Sequence, residues 1–296
     1  MKRNRIRISE RLVEGGLFLS ALLSVLVTAG IVAVLIVETL QFFEEVSLFD
    51  FLTDTEWTPL FSEKHYGILP LFAGTFLTAG IAMSVAMPVG LISAIYLSEY
   101  ASARFRAIVK PLLEVLAAIP TVVYGYFALI FVTPLLQKFI PSLSGFNALS
   151  PGIVMGIMII PIISSLSEDA MHAVPAGLKE GGYALGSTRL QVALKVVLPA
   201  AFSGVVSSFI LGISRAVGET MIVAIAAGLQ PRLTLNPLVP IETVTAYIVQ
   251  VSMGDTPTGT IEYNTIFVAG MSLFLLTLVL NVLSFLLRKR FREVYD

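Results

Sequence analysis

Long apolar runs without a charged residue constrain this chain more than any other feature. Six runs of 19 to 33 residues contain no Asp, Glu, Lys or Arg: residues 17–37, 66–98, 115–137, 139–167, 196–214 and 263–287. A bilayer core about 30 Å thick needs about 20 apolar residues per helix, because lipid offers no water to the peptide groups. The runs therefore predict an all-α membrane protein with six transmembrane helices.

The composition supports this prediction and excludes several functions. Of the 296 residues, 56% are hydrophobic and 13% are charged, whereas about 25% are charged in a soluble domain. The net charge of −1 argues against a nucleic-acid binder, and the absence of cysteine excludes disulfides and thiolate metal sites. His65 and His172 are expected in loops on opposite sides of the membrane, so we predict no metal site.

The predicted spans follow once loop signals are removed from the runs. Pro, Ser, Gly and Asn residues between positions 141 and 151 mark a loop before the fourth helix. A single transmembrane domain is expected over residues 1–296, with spans at about 17–37, 67–97, 115–137, 151–166, 200–229 and 264–287. The largest outer loop is residues 38–65, in which Trp57 is expected as an interfacial anchor.

The basic residues predict the orientation. Fifteen of the 19 lie in the N-terminal segment, the loops after the second and fourth helices, and the C-terminal tail. Lys and Arg in short flanking segments stay in the cytoplasm, so both termini are expected there. On the outer side, Lys64, Lys138 and Arg232 stand against ten acidic residues. An outer surface of this charge would repel an anion.

One cytoplasmic loop, residues 167–195, is longer than a simple connector. Its apolar residues recur at helical steps, while Pro175 and several glycines break it into short helices. Such an amphipathic element could bind in a groove of a partner protein. The alternative from composition alone is a solvated connecting loop.

The spacing of residues in and after this loop favours the first interpretation, in which the loop binds a partner protein. Glu180, Gly186, Val196, Leu198 and Pro199 match the pattern E-x5-G-x9-[IV]-x-L-P, which resembles the EAA loop of ABC importer permeases. Two alanines that follow the glutamate in that family are replaced here by Gly181 and Gly182, which are still small.

The resemblance implies a MetI-like type I ABC importer permease with both termini in the cytoplasm. It also implies that the five matched residues and the two glycines couple the permease to a cytoplasmic ATPase: Glu180, Gly181, Gly182, Gly186, Val196, Leu198 and Pro199. The chain has no G-x-x-x-x-G-K-[ST] stretch to hold nucleotide phosphates. We therefore expect a non-catalytic chain that binds no cofactor, with ATP used by the partner ATPase.

Arg215 and Glu219 lie in the middle of the predicted fifth span, unless Gly212 or Gly218 interrupts the helix. At positions i and i+4 they share one helix face. Ionisable residues at this depth usually line a bundle interior or an aqueous path. Three interpretations stay open: a structural ion pair, an arginine that meets a passing oxyanion while the glutamate holds it, or a proton relay.

Three segments narrow the resemblance from ABC importer permeases in general to one group of them. Residues 214–223 (SRAVGETMIV), 112–129 and 67–83 resemble PstC-type phosphate permeases. This similarity implies a phosphate importer of the bacterial or archaeal plasma (inner) membrane, with Arg215 and Glu219 on the phosphate path. The implied partners are a PstA-type second permease, a PstB-type ATPase dimer and an external PstS-type phosphate-binding protein. The outer acidic residues, Glu44 and Glu45 among them, could then meet basic residues of the binding protein.

Other functions remain as alternatives. The chain could be a PstA-type sister subunit, or a permease for another oxyanion such as sulfate or molybdate. A proton-coupled secondary carrier that uses Glu219 is less favoured, because the sequence shows no inverted repeat.

Glycines and prolines within the spans predict close packing and local bending. Pro88, Gly90, Pro120 and Gly125 are expected to loosen the second and third helices. Close helix contacts are expected at five glycines: Gly74, Gly80, Gly152, Gly156 and Gly212.

Overall fold

The computed structural model describes residues 2–291, with the side chains of residues 10, 11 and 13–287. The basic side chains of both chain ends, from Lys2 to Arg7 and from Arg288 to Arg292, lie outside this description. The described chain is a helical bundle. Its helices are α1 (Lys2–Glu45), α2 (Leu48–Thr53), α3 (Leu69–Ile95), α4 (Ala103–Ala118), α5 (Thr121–Phe127), α6 (Thr133–Gln137), α7 (Leu149–His172), α8 (Ala176–Ala184), α9 (Arg189–Val192), α10 (Leu198–Ala200), α11 (Phe202–Val217), α12 (Met221–Ala226), α13 (Val244–Ser252) and α14 (Ile261–Phe291).

Within the described chain, four helical segments are long and apolar enough to cross a membrane. They are Val13–Glu45, Leu69–Tyr100, Leu149–His172 and Ile261–Leu287. Two bent pairs also qualify: Ala103–Ala118 with Thr121–Gln137, bent by 83°, and Arg189–Ala200 with Phe202–Val217, bent by 74°. The predicted all-α membrane fold is confirmed, and there are six spans if each bent pair crosses once. The third and fifth spans are broken rather than continuous.

The third span bends at Pro120. A proline disfavours helical geometry in the residue before it, and Ile119 accordingly adopts an extended ψ of 130°. The hydroxyl of Tyr124 donates to the carbonyl of Leu116 across the bend, at 2.8 Å. This bond partners a backbone group at the end of α4, which a lipid environment requires. The expectation that Pro120 loosens this helix is thus realised as a full break, whereas Pro88 lies inside the continuous α3.

Helices α3 and α7 pack face to face and form the centre of the bundle. A Cβ on Gly156 would lie 2.7 Å from the carbonyl oxygen of Ala82, and one on Gly152 would lie 2.8 Å from the side chain of Ile81. Glycine at these positions therefore lets the helices approach closely. Gly212 also makes close contacts with α3 and α7, as predicted, whereas Gly74 lies against the connection between α12 and α13 rather than against a helix. The prediction for Gly80 is wrong, because this glycine faces open space.

The connections at residues 46–68, 138–148 and 227–260 meet at one end of the bundle, which we call the loop end. Ser144 N donates to the carbonyl of Leu238 at 3.0 Å, and Ala148 N donates to that of Pro237 at 3.1 Å. Trp57 is only 1% exposed and packs edge to face on Tyr247, with centroids 5.0 Å apart. The expectation of an interfacial anchor is therefore wrong, because this indole belongs to the core of the loop end.

The opposite end, called here the coupling end, contains the π-helical turn Tyr96–Tyr100, the start of α4 and the segment 173–201. His172 closes α7 at this end, 3.4 Å from Arg106 Nη1. His65 lies at the loop end, where its Nδ1 is 2.9 Å from Asp54 Oδ2. The two histidines are thus at opposite ends of the bundle, as expected.

Candidate functional site

The helix predicted over 200–229 is interrupted at Gly218, between α11 and α12, which is one of the two positions at which the sequence left a break open. Glycine is a poor helix former in a helix interior. The Glu219 carboxylate then starts the next helix, because its Oε1 accepts from the backbone nitrogens of Met221 at 3.2 Å and Ile222 at 3.3 Å. These bonds satisfy amide groups that the first turn of any helix leaves free. The break thus places an acidic side chain at the start of α12.

Arg215 and Glu219 form the ion pair that the sequence predicts. Nη1 of Arg215 donates to Oε2 of Glu219 at 2.5 Å, and Nη2 lies 3.6 Å from the sulfur of Met158. Within the described chain, the remaining guanidinium donors make no hydrogen bond. The Glu219 side chain is 2% exposed, whereas that of Arg215 is 36% exposed. The arginine of the pair therefore faces the solvent-accessible side, and the carboxylate lies inside the bundle.

The pair is also tied to the loop end. The hydroxyl of Thr245 donates to the backbone carbonyl of Glu219 at 2.7 Å and lies 3.0 Å from the hydroxyl of Thr243. Thr75 of α3 accepts from Val244 N at 3.1 Å. Of these bonds, only that of Thr245 reaches Glu219 directly, and it joins the backbone next to the break to the start of α13.

This arrangement suits binding an oxyanion better than covalent chemistry. A guanidinium presents planar donors that match the geometry of phosphate-like oxygens. Those Arg215 donors without a partner can serve this purpose while Glu219 orients the group. Among the described residues, no cluster of three His, Cys, Asp or Glu could hold a metal ion.

The segment after α7 forms the short helices that its sequence predicts. Gly186, between α8 and α9, has a φ of +79°, a conformation that glycine adopts without strain. Thr188 and Gln191 form a capping box that starts α9. Gly182 faces Val192, 3.1 Å from where its Cβ would lie. Its small size therefore serves packing within the loop, whereas Gly181 faces open space.

Residues 173–199, which we call the coupling loop, leave an apolar surface uncovered. Leu185 is 89% exposed, and Leu178, Tyr183, Leu190 and Leu194 are also exposed. Glu180 and Pro199 are exposed as well, while Val196 and Leu198 pack against the buried cluster around Val197. Exposed apolar groups clustered on a surface commonly mark an interaction site for a protein or a membrane.

Comparison with known proteins assigns the chain to a family. Residues 86–293 match the family described as "Binding-protein-dependent transport system inner membrane component". The chain belongs to this family of permeases. The matched region contains both the coupling loop and the Arg215–Glu219 pair.

Relatives of this permease cover almost its whole length. It is 35% identical to the probable ABC transporter permease protein YqgH of Bacillus subtilis, over 96% of this chain and 94% of the relative. It is 36% identical to the phosphate transport system permease protein PstC of Xylella fastidiosa, over 81% of this chain and 78% of the relative. The probable PstC of Methanocaldococcus jannaschii is 31% identical over 78% of each chain.

Solved structures share the fold of the permease. A chain of the inward-facing MetNI methionine ABC transporter aligns with a TM-score of 0.55 at 20% identity, covering 77% of this chain and 95% of that one. A chain of a bacterial ABC transporter involved in alginate import aligns with a TM-score of 0.60 at 15% identity, covering 86% and 88%. These similarities confirm the predicted MetI-like fold.

The sequence reasoning missed three ion pairs at the coupling end of the permease, which involve two buried glutamates. Lys179 of α8 donates to Glu99 at 2.7 Å, and Glu99 is 8% exposed. Glu168 of α7 is 1% exposed and pairs with Arg106 and Lys110 of α4. Glu99 and Glu168 each follow directly on a long apolar run, and this position could have singled them out. The sequence did not show which basic residue lies opposite each of them.

Proposed function

We propose that this permease is the transmembrane subunit of an ATP-driven importer of inorganic phosphate. The single observation that carries the proposal is Arg215 beside the break at Gly218. It is a half-exposed guanidinium with unused donors, positioned by a buried carboxylate. The PstC relatives, which are named phosphate permeases, supply the substrate class.

The bundle forms one part of the path, and a PstA-type second permease supplies the other. A PstB-type ATPase dimer binds in the cytoplasm and uses ATP, while this chain binds no cofactor and catalyses no covalent step. An external PstS-type protein delivers phosphate at the loop end, which overcomes the repulsion between the acidic loops and a free anion. The complex lies in the bacterial or archaeal inner membrane, with both termini of this chain in the cytoplasm.

The coupling loop transmits the state of the ATPase to the path. Its exposed surface around Glu180, Gly181, Leu185 and Pro199 docks on the ATPase, and Gly186 permits the turn between α8 and α9. Gly182, Val196 and Leu198 join these helices to the bundle. Closure of the ATPase dimer moves the loops together and switches access to Arg215. The contact with phosphate is transient, because tight binding would slow release.

The proposal is tested by ATP-dependent phosphate uptake into vesicles that hold the assembled complex. Arg215→Lys keeps the charge but removes the planar fork, and we expect uptake to fall about tenfold or more. Assembly and ATPase activity are measured in each preparation. A Lys138→Met variant at the loop end serves as the control, since the side chain of Lys138 makes no described hydrogen bond and its loss should leave uptake unchanged.

A double variant separates binding of phosphate from simple neutralisation of charge. Arg215→Ala with Glu219→Ala removes both charges and leaves no unpaired ion. If this variant transports phosphate normally, the pair is structural and the proposed role of Arg215 is wrong. Uptake of sulfate or molybdate in place of phosphate by the native complex would contradict the substrate assignment alone.

A further inference from the structure

Glu242 is a buried carboxyl group outside the membrane-spanning helices, in the connection between α12 and α13. It is 1% exposed, and its Oε1 accepts no hydrogen bond within the described chain. Burial raises the pKa of this carboxyl to about 8. Its backbone carbonyl lies so close to Gly74 that a Cβ there would be 2.1 Å from the oxygen. The backbone at Glu242 is therefore held firmly against α3.

A cavity of about 210 Å³ at the loop end is lined in part by Glu242. Three aromatic residues, Trp57, Phe61 and Tyr247, form much of its wall, and Gln230 and Gln250 contribute amide groups. No lysine, arginine or histidine is found among the described residues that line it. The cavity thus combines a carboxyl group with aromatic rings and lacks a cation of its own.

This chemistry selects a cation. A buried carboxylate is strongly unfavourable unless it is paired, and aromatic faces attract ammonium and guanidinium groups. The described lysines and arginine of the loop end do not line this cavity. Lys64 pairs with Glu262, Arg232 bonds to Gln230, and Lys138 lies in the connection 138–148. Exposed acidic residues nearby, among them Glu44, Glu45 and Glu63, give this surface a negative field that favours a positive partner.

We propose that this cavity receives a lysine or arginine side chain of the external binding protein, with Glu242 as its counter-ion. The inference rests on the orientation proposed above, in which the loop end faces outward. Glu242 precedes Thr243, whose hydroxyl contacts Thr245, and Thr245 binds the backbone of Glu219. The docked side chain therefore contacts the segment 242–245, which is bonded to Glu219 beside Arg215. The binding protein and the proposed phosphate contact are thus joined through this segment.

The test measures the affinity of the PstS-type protein for the assembled complex in lipid nanodiscs. Glu242→Gln preserves the shape of the side chain and removes the carboxyl group that can ionise against a docked cation. We expect the dissociation constant to rise about thirtyfold, as for loss of one partner of a buried charge pair. Glu14→Gln, which removes an exposed acid from the far end of α1, is the matched control and should change it less than twofold. Unchanged affinity in Glu242→Gln would overturn the inference.

A second arm does not depend on folding of the Glu242 variant. Butylguanidinium and butylammonium, which mimic the two side chains, should compete with the binding protein for the native complex, whereas tert-butanol at equal concentration should not. Phe61→Leu, at an exposed rim position, should weaken docking about threefold through loss of the aromatic face. Failure of both cations to compete would contradict the inference. Normal docking behaviour in a complex that transports no phosphate would instead contradict the proposed function.

Discussion

Lys179 of α8 donates a hydrogen bond from Nζ to Oε1 of Glu99, 2.7 Å away, at the end of the second membrane-spanning segment. The side chains are 20% and 6% exposed, so the ion pair is largely withdrawn from water. Glu99 belongs to the π-helical turn Tyr96–Tyr100, and π-helical turns are frequent at functional positions. The coupling loop is thus linked to a membrane span by a charged contact, besides its covalent connections.

Lys179→Met is expected to uncouple ATP hydrolysis from transport. The substitution keeps most of the apolar stem and leaves Glu99 without its partner. We expect the phosphate moved per ATP hydrolysed to fall about fivefold, within the usual range of coupling energies. The ratio is measured in vesicles that hold the complex. Lys195→Met, at an exposed position of the same loop, is the control, and an equal effect of both variants would contradict a specific role for the pair.

Glu219→Gln and Glu219→Ala should separate two roles of this side chain. Glutamine keeps an oxygen that can accept from the amide groups of Met221 and Ile222, but it no longer neutralises Arg215. We expect near-native assembly and reduced uptake for Glu219→Gln. Glu219→Ala should in addition lose about 1 kcal/mol of stability, as a helix start does when its capping group is removed. Thermal unfolding in detergent measures this difference, and equal stability of the two variants would show that the capping bonds contribute nothing.

Glu242 should make the chain less stable as the pH rises. Its pKa of about 8 in the folded state lies above its ordinary value of 4.5, so the unfolded chain loses this proton first. Stability from this group therefore falls between pH 4.5 and 8, by about 1.4 kcal/mol per pH unit at most. Tyr247 is the only other titratable residue that lines the cavity among those described.

The matched measurement compares melting temperatures of the native chain and Glu242→Gln from pH 5 to pH 9. His65 acts in the same direction, because its hydrogen bond to Asp54 raises the pKa of the imidazole and the stability it adds is lost at higher pH. The difference between native chain and variant removes the effect of His65. If the melting temperatures of the two proteins differ by the same amount at every pH, ionisation of Glu242 does not destabilise the folded chain.

Gly156→Ala should destabilise the centre of the bundle, whereas Gly80→Ala should not. The added methyl at position 156 would lie 2.7 Å from a backbone oxygen of α3, while the one at position 80 would meet nothing within 4 Å. Overpacking of this kind typically costs about 1 to 3 kcal/mol. Assembly yield and melting temperature of the two variants provide the measurement. Equal values would mean that α3 and α7 separate easily at Gly156.

Much of the architecture could be predicted because membrane-spanning helices consist of long apolar runs, which are visible in the sequence. The first and last apolar runs correspond to α1 and α14, and the glycines of the coupling loop predicted the turn at Gly186. The breaks at Pro120 and Gly218 were less predictable, since proline and glycine also occur inside continuous membrane helices, as Pro88 does in α3. Whether the chain bends depends on whether neighbours satisfy the freed backbone groups, as Tyr124 and Glu219 do here.

The candidate site was predictable in part for the same reason. Arg215 and Glu219 stand four residues apart, so that local geometry alone brings them together. Glu99 and Lys179 are separated by 80 residues, and only the packed bundle shows that they meet. Glu242 looked like one acid among many in the outer loops, because its burial depends on Gly74 and on a wall of aromatic residues from distant segments.

The unequal exposure of Arg215 and Glu219 has an electrostatic consequence. Formally the pair carries no net charge, so neither of its residues stands as an isolated ion in a medium of low dielectric constant. Yet the pair is a local dipole whose positive end points to the open side, since 36% of the arginine side chain and 2% of the glutamate side chain are accessible. A neutral wall can in this way offer an attractive potential to an anion at short range, and the attraction weakens within a few ångströms once the anion moves on.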